Sequence, residues 1–567
     1  MKSNIVVLDV LKTNWNGLRR LALACALVMA FAAVPLHAGL VYQDLYDFNC
    51  NHGGCSPIDY GQLWLGSDGY LYGTTSSAAG TIFKVSADGS SYFTLYSFTG
   101  GADGASPSAA LTPVFDLSYN TYVFYGSTSA GGGPDSLGTL FSYNPKAPTP
   151  FLTLHTFTGT DGKFPTIPPT PGPDGNLYGV TGSGTTYSYC LVSCGKGDPF
   201  KQLPNNLPSG TTSPLYLADG LLFGTTEGGG TGGNGTVFYM TTPGGAIKTI
   251  STFNGANGSS PQGPLTQGNL YGVTKYGGAN NTGTIFHLSP LNAVIPMHSF
   301  DALVGNTNND GANPVAGLLY APDKNLYGTT TTGGAFGYGT IFEISTGGSF
   351  SKLVDFTGPA GTGDPGANTD TTLFLNSDGL FYGLSQGAVG FGSGGEGSFY
   401  RLSPENGGVK IPVIEGPVWL APGVTVQILG NELTQAIDVS FAGVEAQFQV
   451  GTDTYLTAQV PAAAVDGPIT VTLATGLQLQ GQVAIHILPM ITNLDPGAGP
   501  VGTQVGIVGG GFAGAKKVTF GGVKATSFRV VSPNLIQATV PTGAKTGKVK
   551  VVTPNGTATS KQKFTVN

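Results

Sequence analysis

The chain has 567 residues, among them 91 glycines, 38 prolines, 31 phenylalanines and 24 tyrosines, and its formal net charge is −7. Only 10% of the residues are charged, against about 25% in ordinary soluble domains, so neutral polar residues and glycine must form most of the surface. This composition argues against a cytosolic enzyme, and the regularly placed aromatic residues argue against a disordered chain.

The N-terminus predicts a secretory signal peptide. Basic residues precede an apolar run over residues 21–34, and small residues follow up to Ala38. We therefore predict that residues 1–38 are removed and that the protein is exported, to the cell surface or the extracellular space. The apolar run is short for a bilayer core of about 30 Å, and no later segment is long enough, so the mature chain is expected to lack a transmembrane segment.

Four cysteines remain after removal of the signal peptide, and they form two close pairs in sequence: Cys50 with Cys55, and Cys190 with Cys194. In an oxidising compartment each pair is expected to close a local disulfide, worth about 2 kcal/mol for so short a loop. A single zinc site built from both pairs is the alternative.

A short motif recurs seven times between residues 71 and 385: an aromatic residue, a glycine and, in most copies, a small hydroxyl residue close behind. The repeat-defining glycines are Gly73, Gly126, Gly179, Gly224, Gly272, Gly328 and Gly383, and they lie 45 to 56 residues apart. This period is too long for a leucine-rich solenoid and fits one four-stranded propeller blade. The sequence therefore predicts an all-β protein with a seven-bladed β-propeller over residues 39–409.

The first repeat, from Gln43 to Ser86, predicts the strands of one unit. They are Leu45–Phe48, Leu63–Leu65, Tyr70–Thr75 and Gly80–Val85. The closing strand carries apolar residues at consecutive positions, so both of its faces must be buried, as in a blade between two neighbours. The glycine after the aromatic residue is expected to allow a close approach of the backbone.

The first of these strands recurs as a tetrad that ends in phenylalanine. Its copies are Leu95–Phe98, Leu154–Phe157, Ile250–Phe253, Met297–Phe300 and Leu353–Phe356. The fourth unit lacks the tetrad, and Phe200 is its nearest substitute.

The motif Leu-Tyr-Gly-Thr-Thr, followed by paired glycines and Gly-Thr-Ile-Phe, resembles the Gloeobacter-Verrucomicrobia repeat family. The resemblance covers roughly residues 40–405 and implies an exported bacterial protein with tandem repeats and varied C-terminal modules. It does not imply a defined biochemical role.

Two segments of about 80 residues follow the repeats, and alternating strands with regular turns indicate immunoglobulin-like β-sandwiches in both. Residues 490–567 are similar to the IPT/TIG family through Gly509–Phe512, Val518–Gly522 and Ala538–Pro541. Residues 410–489 follow the same plan more loosely. The resemblance implies spacer or adhesive modules, and the predicted export makes contact with nucleic acid an unexpected role.

The two segments carry charge of opposite sign. Residues 411–489 contain six acids and no Lys or Arg, whereas residues 490–567 contain nine Lys or Arg and the single acid Asp495. The segments could pack on each other, the basic one could face an anionic envelope polymer, or its charge could serve solubility alone.

Several patterns resemble parts of catalytic or metal sites. Gly383–Gly387 matches G-x-S-x-G, but it occupies a repeat position without a following helix. Asn306–Gly311 resembles a calcium loop but has one carboxylate. His155 and His298 share a strand position, which could bring them to one surface of the ring, but we interpret it as a position that tolerates any residue. Turn aspartates, Asp161 and Asp310 among them, could provide an acid and a base at the mouth of the ring, although turn formation explains them.

We therefore predict a non-enzymatic binding or adhesion protein. The propeller would bind an extracellular polysaccharide or a surface protein, and the sandwich pair would act as a stalk. No catalytic residue, cofactor or metal ligand is predicted, and a monomer is expected. The alternatives are a carbohydrate-active hydrolase or lyase with carboxylates at the propeller mouth, and a structural component of the envelope.

Overall fold

The computed structural model describes most of the chain after the predicted signal peptide. The described residues are 40–48, 62–66, 68–107, 110–116, 119, 121–191, 198–207, 213–243, 245–266, 270–321, 324–358, 369–376, 378–385, 397–404, 414–415, 419–430, 433–452, 455–474, 476, 478–481 and 485–567. Signal removal stays a prediction, because residues 1–38 lie outside this set.

Strand β1 (Leu40–Asp47) is followed by six antiparallel sheets in chain order. The first contains β2 (Trp64–Leu65), β3 (Leu71–Thr75), β4 (Thr81–Val85) and β5 (Tyr92–Ser97), and the second contains β6 (Ala105–Pro107), β7 (Thr112–Asp116), β8 (Thr121–Ala130), β9 (Thr139–Tyr143) and β10 (Phe151–Thr156). The third contains β11 (Thr170–Pro171), β12 (Leu177–Val180), β13 (Thr185–Tyr189) and β14 (Phe200–Asn206), and the fourth contains β15 (Tyr216–Ala218), β16 (Leu221–Thr226), β17 (Thr236–Thr241) and β18 (Ile247–Thr252). The fifth contains β19 (Ser259–Thr266), β20 (Tyr271–Tyr276), β21 (Thr284–Leu288) and β22 (Val294–Ser299), and the sixth contains β23 (Leu319–Tyr320), β24 (Asn325–Thr330), β25 (Thr340–Ser345) and β26 (Phe350–Asp355).

The seventh sheet is completed by the first strand of the chain. It contains β27 (Phe374–Leu375), β28 (Phe381–Ser385) and β29 (Ser398–Pro404), in the order β1-β29-β28-β27. The outermost strand of the last sheet therefore precedes the first sheet in sequence, which closes the ring. The predicted seven-bladed propeller is confirmed, but the unit read from Gln43 to Ser86 is one strand out of phase, because its first strand belongs to the seventh sheet.

The position of each strand in its blade follows from its contacts and burial. First strands of neighbouring sheets contact each other, as β11 does β15 and β15 does β19, so they gather around the ring axis. Second and third strands are buried on both faces, for example all five residues of β3 and of β9. Fourth strands lie at the perimeter, where Phe93 and Leu152 are exposed.

A single hydrogen bond repeats around the ring and fixes the register of the tetrads. Phe98 N–H donates to Gly80 C=O at 3.0 Å, and the N–H of Phe48 makes the same bond to the seventh sheet, at Gly397. In the third sheet Leu207 N–H donates to Gly184 C=O at 2.8 Å. Leu207, not Phe200, therefore occupies the phenylalanine position in the unit that lacks the tetrad.

Each repeat-defining glycine faces an aromatic ring on the third strand of its own sheet. The register pairs are Gly73 with Phe83, Gly126 with Phe141, Gly179 with Tyr187, Gly224 with Phe238, Gly272 with Phe286, Gly328 with Phe342 and Gly383 with Tyr400. A Cβ on these glycines would lie 2.2 to 2.7 Å from the ring. The close approach expected from the sequence is thus made by an aromatic ring that covers the glycine.

The two segments after the propeller are β-sandwiches with matching strand orders. In the first, β30 (Ile414–Glu415), β32 (Thr425–Gly430), β36 (Tyr455–Gln459) and β35 (Phe448–Thr452) form one sheet, and β34 (Val444–Glu445), β33 (Ala436–Phe441), β37 (Ile469–Leu473) and β38 (Gln478–Gln480) form the other, while β31 (Trp419–Leu420) pairs with β39 (His486–Ile487). In the second, β40 (Met490–Asp495), β42 (Gln504–Gly510), β46 (Leu535–Thr539) and β45 (Phe528–Ser532) form one sheet, and β41 (Ala498–Gly499), β48 (Gly556–Val566), β47 (Gly547–Thr553), β43 (Lys517–Phe520) and β44 (Val523–Lys524) form the other. A 3₁₀ turn covers Leu433–Gln435.

The sandwiches meet at a close-packed joint. The Asn555 amide donates to Asp466 Oδ1 at 2.7 Å and to Ile487 C=O at 3.1 Å, so a residue of the second sandwich binds two of the first. A Cβ on Gly510 would lie 2.5 Å from Pro422 Cγ, which explains why this contact requires glycine. Such direct packing leaves no linker between the two modules.

Candidate functional site

Two sets of loops lie at the same end of the propeller, because each blade is an antiparallel meander. One set joins second to third strands (residues 131–138, 227–235, 277–283 and 331–339), and the other joins one sheet to the next (residues 98–104, 157–169, 253–258 and 300–318). Backbone hydrogen bonds join them, for example Gly132 N–H to Gly101 C=O and Gly278 N–H to Gly255 C=O. We call this end the loop face.

Paired hydroxyl groups brace the strands directly beneath the loop face. The pairs are Thr75 with Thr81, Thr128 with Thr139, Thr226 with Thr236, Thr274 with Thr284, Thr330 with Thr340 and Ser385 with Ser398, at 2.7 to 2.9 Å between oxygens. Several also bind a loop carbonyl, as Thr340 Oγ1 does when it donates to Asp310 C=O at 3.1 Å. The hydroxyl residues of the repeat motif therefore anchor the loops to the blades.

The turn aspartates considered as acid and base candidates are engaged within their own loops. Asp161 accepts hydrogen bonds from the backbone N–H and the hydroxyl of Thr158, at 2.8 and 3.0 Å. Burial raises the pKa of Asp161, but these bonds and the one from His155 outweigh burial and hold it below its usual value. Asp310 accepts from Asp301 N–H at 3.0 Å and is itself buried.

His155 and His298 occupy one repeat position, and each joins a loop to the neighbouring blade. Their Nε2 atoms lie 2.9 and 2.8 Å from Asp161 and Asp310, and their rings stack on Phe200 and Phe350. Tyr96 occupies the same position in the first blade, where its hydroxyl donates to Asp103 and its ring stacks on Phe151. Ser251 and Val354 hold the position elsewhere, so it tolerates other residues, but an aromatic ring there has a defined structural role. Burial lowers the pKa of His155, although Asp161 acts in the opposite direction.

An open pocket of about 430 Å³ lies on the loop face between blades five and six. It is lined by Asp301, Ala302, Val304, Thr307, Asn308, Asn309 and Ala335. Asn308 holds its two walls together, since its side-chain oxygen accepts from Gly311 N–H at 2.9 Å and from Gly334 N–H at 2.8 Å. The pocket is therefore built by a side chain that spans both loops.

An insertion in one loop creates this pocket. In the connections between sheets at residues 98–104, 157–162 and 253–258, an Asp or Asn follows the last phenylalanine of the tetrad by four or five positions. In the connection after blade five, Asp310 follows Phe300 by ten positions. The extra residues form a turn in which Thr307 N–H donates to Val304 C=O at 3.3 Å. The length of this insertion was the sequence feature that could have indicated the pocket. The sequence of the insertion resembles a calcium loop instead, but the Asn308 side-chain oxygen and the Asp310 carboxylate accept local hydrogen bonds.

Exposed apolar side chains occur at the pocket and elsewhere on the loop face. Val304 is 81% exposed and Phe336, next to the pocket residue Ala335, is 55% exposed. Phe164, in the connection between blades two and three, is 42% exposed, and Tyr276, at the end of β20 in blade five, is 40% exposed. Flat rings beside amide and hydroxyl groups are a surface that suits ligands with both apolar and hydroxyl faces.

The other predicted sites fall at structural positions or outside the described residues. Ser385 of the G-x-S-x-G match is buried in β28, with its hydroxyl 2.9 Å from that of Ser398. Cys190 lies just after β13, but Cys50, Cys55 and Cys194 are outside the described residues, so both disulfides stay predictions. Among the residues that the structure describes, no group of three or more His, Cys, Asp or Glu side chains could hold a metal ion. The described part of the chain also has no helix with the length and apolar character to cross a membrane.

Comparison with solved structures finds distant likenesses. A fungal alcohol oxidase of the AA5 family in complex with copper aligns at 12% identity and a TM-score of 0.46, over 76% of this chain and 98% of its own. A putative oxidoreductase (glucose dehydrogenase) from Thermus thermophilus aligns at 14% identity and a TM-score of 0.31, over 64% and 100%. A surface glycan-binding protein from Prevotella bryantii aligns at 16% identity and a TM-score of 0.18, over 26% and 38%. At these TM-scores none of the three carries a functional argument.

Family comparison is more specific. No curated protein sequence matches the chain. The Gloeobacter/Verrucomicrobia repeat matches residues 35–194 and 210–414, and the IPT/TIG domain matches residues 489–566. The repeat covers more than half of the chain and coincides with the seven sheets of the propeller. The protein therefore belongs to the Gloeobacter/Verrucomicrobia repeat family and carries an IPT/TIG domain.

Proposed function

We propose that this protein is exported and binds a neutral extracellular polysaccharide through the loop face of its propeller, with the two sandwiches as a stalk. The observation that carries the proposal is the pocket between blades five and six, which is lined mostly by amide, hydroxyl and apolar groups, with the exposed Phe336 directly after the lining residue Ala335 in sequence. A sugar ring presents hydroxyl groups at its edge and C–H groups on its face, so it fits a site with both kinds of partner.

The chemistry of the pocket favours binding over hydrolysis. Amide and hydroxyl groups of Asn308, Asn309 and Thr307 line it, and Asp301 is the single carboxylate among its lining residues. Hydrolysis of a glycosidic bond typically requires two carboxylates that flank the bond. The nearby carboxylate of Asp310 is bound to His298 and to a backbone N–H, so it supports the loop.

The test is retention of the mature chain, residues 39–567, on a panel of immobilised neutral plant and bacterial polysaccharides, with polymer length measured in parallel. We expect retention without shortening on at least one polymer. Ala335→Trp, which places a large side chain in the pocket, should weaken that binding at least tenfold. Leu291→Trp is the matched control, because Leu291 is exposed in a loop at the opposite end of its blade.

Three outcomes would overturn the proposal. Shortening of the polymer would establish a hydrolase or lyase. Equal retention of wild type and Ala335→Trp would place the site elsewhere. Absence of retention on every neutral polymer would leave a protein partner or a structural role in the envelope.

A further inference from the structure

The outer face of one sheet in the second sandwich is lined with lysines. The residues are Lys517, Lys524, Lys548, Lys550 and Lys563, on strands β43, β44, β47 and β48, and all are exposed. We call this surface the lysine face. The inward residues between them, Val549 and Val551, are fully buried, so the lysines beside them project away from the core.

The strand register places these lysines side by side. Lys548 is directly opposite Lys563 on the neighbouring strand. Thr519 is opposite both Lys550 and Lys524, so all three side chains occupy one row across the sheet. Adjacent strands are about 4.8 Å apart and alternate residues about 6.8 Å apart, so the lysines form a compact patch that spans four strands.

Within residues 490–567, no carboxylate lies on the sheet that carries this patch. Asp495, the one acid in residues 490–567, is on β40 in the opposite sheet. None of the five lysines makes an ion pair in the described part of the chain. Like charges directly opposite each other on neighbouring strands are destabilising, as at Lys548 and Lys563. A sheet face with this arrangement is stabilised when a polyanion supplies the missing charge.

We propose that the lysine face binds an anionic polysaccharide. The face has no exposed aromatic side chain that could stack on a nucleobase, since Phe520 and Phe564 point into the core. It also lacks the apolar side chains that insert into a membrane surface, because the exposed valines Val501, Val508 and Val531 are on neither β43, β44, β47 nor β48. Flexible ammonium groups without a base-stacking or membrane-inserting partner suit a flexible polymer that carries carboxylate or sulfate groups.

This site is independent of the propeller pocket. The pocket has a single carboxylate, Asp301, among amide, hydroxyl and apolar groups and is expected to take a neutral polymer, whereas the lysine face has five cationic groups. A protein with both sites would bridge two kinds of polysaccharide.

The test is binding of the mature chain to polygalacturonate, with DNA and anionic phospholipid vesicles as further probes, at low and at high salt. We expect polygalacturonate to bind most tightly and to be released by salt, since screening weakens exposed charge pairs. Lys548→Gln combined with Lys550→Gln and Lys563→Gln should lower this affinity at least tenfold. The matched control is Lys201→Gln with Lys248→Gln and Lys324→Gln, which removes the same charge from exposed sites on the propeller.

The lysine variant should keep its fold, because the change removes repulsion from a solvated surface. Its retention on a neutral polymer should equal that of the wild type, which separates this site from the pocket. Equal loss in both triple variants, tighter binding to DNA or to vesicles, or no binding of the wild type to polygalacturonate would each overturn the proposal.

Discussion

The glycine of each repeat makes room for one aromatic ring. A glycine inside a strand normally costs stability, because it gains nothing from side-chain packing and loses more freedom on folding. Here the ring of the register partner lies over the glycine and is fully buried, as Phe342 is over Gly328. The sequence predicted a close approach at these glycines but not the partner, since Phe342 becomes adjacent only through the register of two strands.

Gly328→Ala should destabilise the propeller by about 1–3 kcal/mol, because the new Cβ would lie 2.5 Å from the Phe342 ring and 2.8 Å from Leu318 Cδ2. The free energy of unfolding measures this change. Gly228→Ala is the control, since no atom lies within 4 Å of its Cβ position. Phe342→Leu should lower the free energy of unfolding less in the Gly328→Ala background than in the wild type. An equal decrease in both backgrounds would show that the ring does not cause the clash.

Thr330→Val should cost about 1–3 kcal/mol, because the buried Thr340 N–H would lose its acceptor, the Thr330 hydroxyl at 2.9 Å. Thr249→Val changes an exposed strand residue in the same way and should be nearly neutral. Chemical denaturation of both variants measures the difference, and equal stability would mean that the hydroxyl pairs do not brace the blades.

At the scale of the blade, the fourth strand contributes a contact between neighbours. In the first, second and fifth blades, an aromatic residue near its end stacks on the next blade and binds the aspartate of the following loop. The sequence identified His155 and His298 as equivalent positions. It could not show their role, because Phe200 and Asp161 reach His155 from two different elements.

His155→Tyr should make the stability of the propeller less sensitive to acid. Since burial lowers the pKa of His155, the unfolded chain takes up this proton first, and folded stability decreases as the pH falls below about 6.5. Tyrosine does not titrate there, and Tyr96 shows that it can stack and bind the loop aspartate at 2.9 Å. Unfolding midpoints at pH 7.5 and 5.0 test this expectation. Parallel shifts in wild type and variant would contradict it.

At the scale of the whole molecule, the ring depends on its first strand. The seven copies of the repeat motif predicted seven blades. The sequence did not show that β1 joins the last sheet, because a sequence unit and a structural blade begin at different strands. Tyr42 stacks on the buried Tyr400, and the Phe48 N–H binds the Gly397 carbonyl. The pocket could not be predicted either, because it requires two loops that are distinct in sequence to meet.

Removal of residues 39–48 should cost at least about 3–5 kcal/mol, the cost of deleting one buried phenylalanine such as Phe48. Thermal unfolding of residues 49–567 against residues 39–567 measures this loss. A peptide of residues 39–48 added in trans should restore part of the stability, and a scrambled peptide should not. Unchanged stability of the shorter chain would show that β1 does not close the ring.

The most direct test of the proposed function is amide hydrogen exchange on the mature chain, with and without an oligosaccharide of the neutral polymer that it retains. We expect slower exchange in residues 301–311 and 331–339, which form the pocket, and little change in the sandwiches. Protection elsewhere, with these two loops unchanged, would contradict the assignment of the binding site to the loop face.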